Sequence, residues 1–309
     1  MRNSSRHDYS DGHSVELLQS GEQFFTANIR AIDNAKQYIH FQTYIVDEDE
    51  TGLRIFDALS RAARRGVRTY LLLDAYGTKY LSGELVKKIE ESGVLLRFFS
   101  PVFITKGFQL SLRLHHKVLL ADGELAIIGG MNIADRYHGT PRKREWLDFA
   151  VLIKGPECVH VNSIVRKTWN KTFISKEERS NEIVHHVKKY PENVTLRVIE
   201  NNWYRNKIEI LRSYRLAFKH AHDHMIIFAS YFLPGRLERK LLRLAGKRGV
   251  DIKIVLAAES DAPIFKRATS FLYEFILRNN IMIYEYLPSN LHAKVATVDG
   301  RWCTVGSYN

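Results

Sequence analysis

"RLHHKVLLADGELAIIGGMN", residues 113–132, has a partner in "NLHAKVATVDGRWCTVGSYN", residues 290–309. Both read His-x-Lys, four residues, Asp-Gly, five residues, Gly-[Gly/Ser]-x-Asn. His115, Lys117, Asp122, Gly129, Gly130 and Asn132 align with His292, Lys294, Asp299, Gly306, Ser307 and Asn309 at a constant offset of 177 (292 − 115). One His-x-Lys means little, but six matched positions in register imply an internal duplication, and a repeat of this length sets the fold.

The flanking sequence repeats as well. "YIHFQTYIV" (38–46), a helical pattern from Asp49 to Arg65, "VRTYLLLDAY" (67–76), a helix over 82–92 and "VLLRFF" (94–99) make one strand–helix rhythm. It returns as "HMIIFASYFL" (224–233), the helical "GRLERKLLRLAGKRG", "VDIKIVLAAE" (250–259), a helix over 263–279 and "IMIYEYL". Strands alternating with helices predict α/β architecture with a largely parallel sheet. The Asp-Gly hairpins add antiparallel strands, so each half is expected to be a mixed sheet flanked by helices. The expected domains are 1–177 and 195–309, joined by a charged, proline-containing linker at 178–194 in which His185 and His186 are solvated.

Within a strand alternate side chains share a face, so His115 and Lys117 project together and His116 points away. If Asp122-Gly123 forms a two-residue loop, Gly130 stands opposite His115 and Asn132 about one step beyond. The glycines then leave room beside the histidine for a phosphate, which the Asn132 amide can reach. The same construction sets Ser307 opposite His292. Asp122 and Asp299 belong to the candidate catalytic motif with the histidines and lysines, yet their place at the turn reads as structural.

In-line displacement at phosphorus needs a nucleophile and a proton donor on opposite sides, with charge neutralised on the remaining oxygens. Each repeat supplies one imidazole, one ammonium and one amide, and a single site built from both would meet that need. Imidazole suits both tasks because its ordinary pKa, about 6.5, lies near neutrality. No Asp/Glu/Cys cluster has metal-ligand spacing, so neither metal nor cofactor is expected. The 46 Lys and Arg against 34 Asp and Glu give a formal charge of +12, which favours anionic partners. Two cysteines, Cys158 and Cys303, argue against a disulfide framework and are expected to be buried thiols. The polar opening lacks an apolar signal-peptide core, and no apolar run is long enough to span a bilayer.

At these residues the chain resembles the phospholipase D superfamily, whose duplicated HxKxxxxD signature is followed by G[GS]xN. "ELLQSGEQFF", "RAARRGVRTYLLLDAYG" and "SYFLPGR" make it most similar to bacterial cardiolipin synthases without transmembrane helices. The resemblance runs from about Val15 onward and implies two pseudo-symmetric domains. It also implies a phosphatidyl-histidine intermediate: His115 attacks one phosphatidylglycerol, His292 protonates the departing glycerol, and a second phosphatidylglycerol then yields cardiolipin. Lys117, Lys294, Asn132 and Asn309, with Gly130 and Ser307, would hold the phosphate, and Asp148 would orient the first histidine. Peripheral binding at the cytoplasmic face of a bacterial membrane follows from the same resemblance.

The first repeat continues through a strand, Asp148 and a helix over 157–174, whereas the counterpart of Asp148 would fall beyond Asn309. The expectation is a C-terminally truncated second domain, an unpaired sheet edge, and a His292 without its orienting acid. The insertion 101–114, with Phe103, Ile104, Lys106, Phe108 and Leu110, either enters the lipid interface or packs on its own domain. "RYHGTPRKRE" (136–145) and the basic helix with Arg236, Arg239, Lys240, Arg243, Lys247 and Arg248 either contact anionic headgroups or are solvated. Tyr44 and Tyr231 either line the pocket or belong to the core. The rival functions are a hydrolase or nuclease of the same superfamily, nucleic acid being the less expected partner, and an inactive membrane-binding fragment.

Overall fold

The computed structural model describes residues 8–100, 113–140, 143–172, 175, 177–184, 187–201, 208–259 and 263–308. The chain divides into two compact units, one of residues 1–138 and 150–198, the other of residues 139–149 and 199–309.

In the first unit the elements are β1 (Ser10–Leu18), α1 (Gly21–Asn34), β2 (Tyr38–Thr43), α2 (Glu50–Arg64), β3 (Arg68–Asp74), α3 (Gly83–Glu91) and β4 (Leu95–Phe99), followed by β5 (Val118–Ala121), β6 (Leu125–Gly129), α4 (Asp135–His138), β7 (Ala150–Lys154), α5 (Glu157–Lys171) and β8 (Val194–Leu196). Three helices begin at a capping side chain: Ser20, Asp49 and Ser82 accept from the backbone N–H of Gln23, Gly52 and Leu85. The sheet order is β4-β3-β2-β5-β6-β7-β1-β8. Only β2, β3 and β4 run parallel; the motif hairpin and the strands after it pair antiparallel. The sheet is therefore mixed and less parallel than the helix–strand rhythm alone predicts. Cys158, Val161, Val165 and Trp169 of α5 pack on Tyr38, Tyr70, Leu72 and Leu120 from the strands.

The stretch expected as a linker folds onto this unit. Ser180 Oγ lies 2.9 Å from His40 Nε2, the Tyr70 hydroxyl donates to Glu182, and β8 pairs with β1. His185 and His186 lie outside the described residues, as does most of the insertion 101–114 (residues 101–112).

The second unit contains α6 (Glu209–His220), β9 (His224–Ala229), α7 (Arg236–Lys247), β10 (Asp251–Ala257), α8 (Pro263–Ser270), α9 (Tyr273–Leu277), β11 (Ile281–Tyr286), β12 (Lys294–Val298) and β13 (Trp302–Val305). The single helix expected over 263–279 is two, interrupted at Phe271 and Leu272. Its sheet runs β11-β10-β9-β12-β13, the arrangement of β4-β3-β2-β5-β6 again. Phe218, Leu242, Ala245 and Ile276 from the helices close over Met225, Ile227, Ile252, Ile254 and Ile281. Cys158 is buried as expected, but Cys303 is exposed, because β13 ends the strand order and pairs with β12 alone.

Candidate active site

Both motif hairpins fold the same way, and one residue differently from the expected register. Val118 faces Ile128 and Ala121 faces Leu125; Val295 faces Val305 and Val298 faces Trp302. Three residues rather than two fill each turn, so the strand register does not set Gly130 opposite His115 or Ser307 opposite His292. The Asp-Gly pair adopts positive φ at both residues, 53° and 69° for Asp122 and Gly123, 53° and 61° for Asp299 and Gly300, a conformation compatible with more than one loop length. The Glu124 and Arg301 N–H groups then close the turns onto the Ala121 and Val298 carbonyls at 3.0 Å.

What holds the aspartates in that conformation is a backbone cradle. The Asp122 carboxylate accepts from the N–H groups of Lys36, Gln37 and Tyr38 at 2.8, 2.8 and 3.0 Å. Asp299 accepts from His222, Asp223 and His224 at 2.9, 2.9 and 3.0 Å. Burial alone would raise the Asp299 pKa, but the three amides outweigh it and hold the carboxyl below its ordinary value. Each carboxylate thus joins the hairpin turn to the entrance of the neighbouring strand, β2 or β9. This geometry agrees with the reading of both aspartates as structural.

Before β5 the chain is extended without strand pairing, and its conformation is fixed by Asp74 at the end of β3. That fully buried carboxylate accepts from Leu114 N at 2.8 Å and from Tyr76 and Gly77 N at 3.0 and 3.1 Å. A side chain at Gly77 would stand 2.0 Å from the Tyr44 carbonyl, so only glycine allows this approach. The result is an exposed His115 whose ring lies 5.5 Å from that of Tyr44, while Lys117 is buried with its ammonium 5.5 Å from the same ring. Tyr44 therefore lies at the site. Burial, reinforced by Asp74, raises its pKa. His116 faces the other way, 3.1 Å from Gln42 Oε1, and burial with Lys117 beside it pushes its pKa down to about 4. Gly129 and Gly130 are buried, and the Gly129 N–H bonds the Lys117 carbonyl at 3.3 Å. Asn132 is buried and its amide meets the Tyr137 hydroxyl at 2.9 Å.

In the second unit the segment before β12 is fixed by residues from much earlier in the chain. Leu147 N donates to the Asn290 carbonyl at 2.9 Å and His292 N to the Leu147 carbonyl at 2.8 Å, a parallel bridge between Leu147 and Leu291. This brings Asp148, fully buried, to 2.6 Å from His292 Nδ1. The acid expected to orient His115 orients His292 instead. The expectation that His292 lacks such an acid is likewise overturned. The resemblance gave the wrong partner, because residues 139–149 fold with the second unit.

The other Asp148 oxygen accepts from Phe149 N at 2.8 Å. A His292 that donates from Nδ1 to this carboxylate keeps the Nε2 lone pair to take or return a proton. Lys294, buried, sets its ammonium 3.0 Å from both ring nitrogens and donates to the His292 carbonyl; the Trp146 ring lies 6.0 Å away. Ser307 is half-buried, and Asn309 lies outside the described residues. Sequence reasoning passed over Asp74, Tyr137 and Trp146. The Asp at a strand end in "LLLDAYG" was the available signal for the first.

The sequence model described as "Cardiolipin synthase, PLD-like domain" matches residues 28–169 and 214–309. Cardiolipin synthase B of Escherichia coli strain K12 is 32% identical over 315 residues, 97% of this chain and 73% of the relative. Cardiolipin synthase 1 of Bacillus cereus is 27% identical and shares 97% of this chain and 60% of its own. Among solved structures, phosphatidylserine synthase of Haemophilus influenzae has the same fold, with TM-score 0.64 and 16% identity over 94% of this chain and 76% of its own. Two matched segments, each carrying one His-x-Lys hairpin on a like-ordered sheet, leave no ambiguity of family: the chain belongs to the cardiolipin synthase family of phospholipase D-like proteins.

Proposed function

We propose that the protein is a phosphatidyltransferase that condenses two phosphatidylglycerols to cardiolipin and glycerol. The observation that carries the proposal is the Asp148–His292–Lys294 cluster, an imidazole 2.6 Å from a buried carboxylate and beside a buried lysine. In the first step a His115 ring nitrogen attacks phosphorus and the bond to the headgroup glycerol breaks, its oxygen taking a proton from His292. In the second step His292 Nε2 removes the proton from a terminal hydroxyl of another phosphatidylglycerol. That oxygen attacks phosphorus, the P–N bond breaks, and His115 is restored. Water as acceptor would give phosphatidic acid.

Lys117 and Lys294 neutralise the non-bridging oxygens, with Gly130 and Ser307 leaving them room. Asn132 Nδ2, which donates one hydrogen to the Tyr137 hydroxyl, has a second to offer the phosphate, and Asn309 is assigned the equivalent role. Asp148 keeps the His292 tautomer. The lipid substrate implies work at a membrane surface, here the cytoplasmic face of a bacterial membrane, met peripherally. No helix among the described residues is long and apolar enough to cross a membrane. The net charge of +12 supports an anionic bilayer as that surface.

The test is incubation of the purified protein with phosphatidylglycerol vesicles and, separately, with plasmid DNA, following cardiolipin and glycerol by mass spectrometry and nicking by gel. Cardiolipin with equimolar glycerol is expected, and its loss in His115→Ala and His292→Ala. Nicking without lipid turnover would refute the proposal. With a phosphatidyl ester of p-nitrophenol, whose leaving group needs no proton, the His292→Ala variant should accumulate a phosphatidyl adduct on His115, and an adduct found elsewhere would refute the assignment of nucleophile.

A further inference from the structure

In the second unit β9, β10 and β11 are parallel, so their carboxyl ends share one edge of the sheet. The segment carrying the catalytic pair meets that same edge: Lys294 is in register with Ala229 at the end of β9, and Ser230 N donates to the Ala293 carbonyl at 3.1 Å. Each chain leaving the edge then exposes a large apolar side chain. Leu233 after β9 is 47% exposed, Ile264 after β10 is 74% exposed, and Leu287 after β11 is 81% exposed. Phe265 is 46% exposed and joins the rim to the site's own segment, its ring 5.1 Å from that of Tyr231. A scattered exposed leucine needs no explanation, but apolar groups on all three consecutive strand exits do.

Charge identifies what meets this rim. Arg236, exposed, begins α7 just past Leu233, and Lys266 and Arg267 follow Ile264 and Phe265 on α8. Glu259 follows β10 in sequence, and Glu285 of β11 lies 3.9 Å from Lys266. Exposed apolar side chains with cations close by in sequence match the boundary between acyl chains and anionic headgroups, where the apolar group enters the hydrocarbon and the ammonium or guanidinium stays at the phosphates. Proline at 263 and the polar Ser270 bound α8, so this is a short interfacial wedge.

We infer that the rim formed by Leu233, Ile264, Phe265 and Leu287, with Arg236, Lys266 and Arg267 behind it, is a bilayer-insertion surface for anionic phospholipid. It would hold the second unit's carboxyl-end edge, and with it His292, at headgroup depth. The inference rests on the proposed lipid substrate for its purpose, but the surface can be tested apart from it. The variant Leu233→Ser/Ile264→Ser/Leu287→Ser alters only exposed side chains, and its fold is checked by circular dichroism and thermal unfolding.

In sedimentation with phosphatidylglycerol vesicles the partition of the triple variant is expected to fall at least about tenfold, since one fully inserted leucine-sized side chain is alone worth about that factor or more. Turnover of short-chain phosphatidylglycerol dispersed below its aggregation concentration should be unchanged. In the full chain, Leu287→Trp fluorescence should be quenched by brominated-lipid vesicles. Unaltered vesicle partition, absence of quenching, or a change confined to self-association in sedimentation velocity would each overturn the surface. Vesicle binding lost in the triple variant of a protein that turns over no lipid would leave the surface standing and remove the transferase proposal instead.

Discussion

Replacing Asp148 by asparagine isolates one proton. The isosteric amide keeps the volume of a fully buried side chain, and its oxygen is required by Phe149 N–H, 2.8 Å from Asp148 Oδ1 in the parent. The Asn Nδ2 must then face His292 Nδ1, across the 2.6 Å contact that the carboxylate makes. A donor facing Nδ1 requires that nitrogen to accept, so the ring proton moves to Nε2 and His292 can no longer take a proton there. The same tautomer reversal in a Ser-His-Asp site lowers turnover by about 10⁴-fold, so a loss of about 10³–10⁴-fold, or about 4–5 kcal/mol of barrier, is expected here. The assay is cardiolipin formation from phosphatidylglycerol, paired with a thermal melt that should move little because the cavity stays filled. A second substrate separates roles: with a phosphatidyl ester of p-nitrophenol, whose leaving group needs no proton, the first step should recover most of its rate. A variant within tenfold of the parent on phosphatidylglycerol would refute the assigned tautomer and, with it, His292 as the acid and base.

Asp122→Ala removes the acceptor for three backbone N–H groups and should destabilise the first unit by about 2–3 kcal/mol, read by urea unfolding, without moving turnover per folded molecule. Asp299 has its pKa lowered in the fold, so its stabilisation is complete above the unfolded carboxyl pKa and fades as pH falls through the folded one; the stability gap between parent and Asp299→Asn should narrow below about pH 4. Burial pushes His40 down to about 3 and His116 down to about 4, so both fold as neutral rings. Unfolding then releases groups that bind protons below about pH 6.5, and stability should fall by about 1.4 kcal/mol per pH unit per histidine between about pH 6 and 4, a slope that His40→Gln should reduce.

The repeat was legible because a duplicated hairpin leaves a fixed spacing, and the strand–helix rhythm around it carries hydrophobic periodicity strong enough to order the sheets. β1 was not, since "SDGHSVELL" has a glycine and scattered charge, and only its pairing with β7 and β8 makes it a strand. The hairpin register missed by one because Asp-Gly at positive φ is compatible with more than one loop length, and the choice is made by the amides of 36–38 and 222–224, remote in sequence. The charged stretch 178–194 read as a linker because its charges look solvated. Glu182, however, is held by Tyr70 and Arg68, contacts that no local pattern announces.

The duplication therefore fixes the backbone of the two motifs alike and leaves their chemistry to the flanks. The two turns differ by 8° or less in φ at each residue, and each carboxylate gathers three amides, so the hairpins themselves give neither histidine a distinct task. Distinction enters upstream of each strand. His115 follows a segment pinned by Asp74 through backbone N–H groups and lies against an aromatic ring, whereas His292 follows a segment paired with 146–149 and meets a buried carboxylate directly. A fixed Nδ1–H is what repeated proton transfer requires, because Nε2 must be returned to the same state after each step. That requirement, more than the order of the motifs along the chain, is the physical reason to give His292 the proton and His115 the phosphorus.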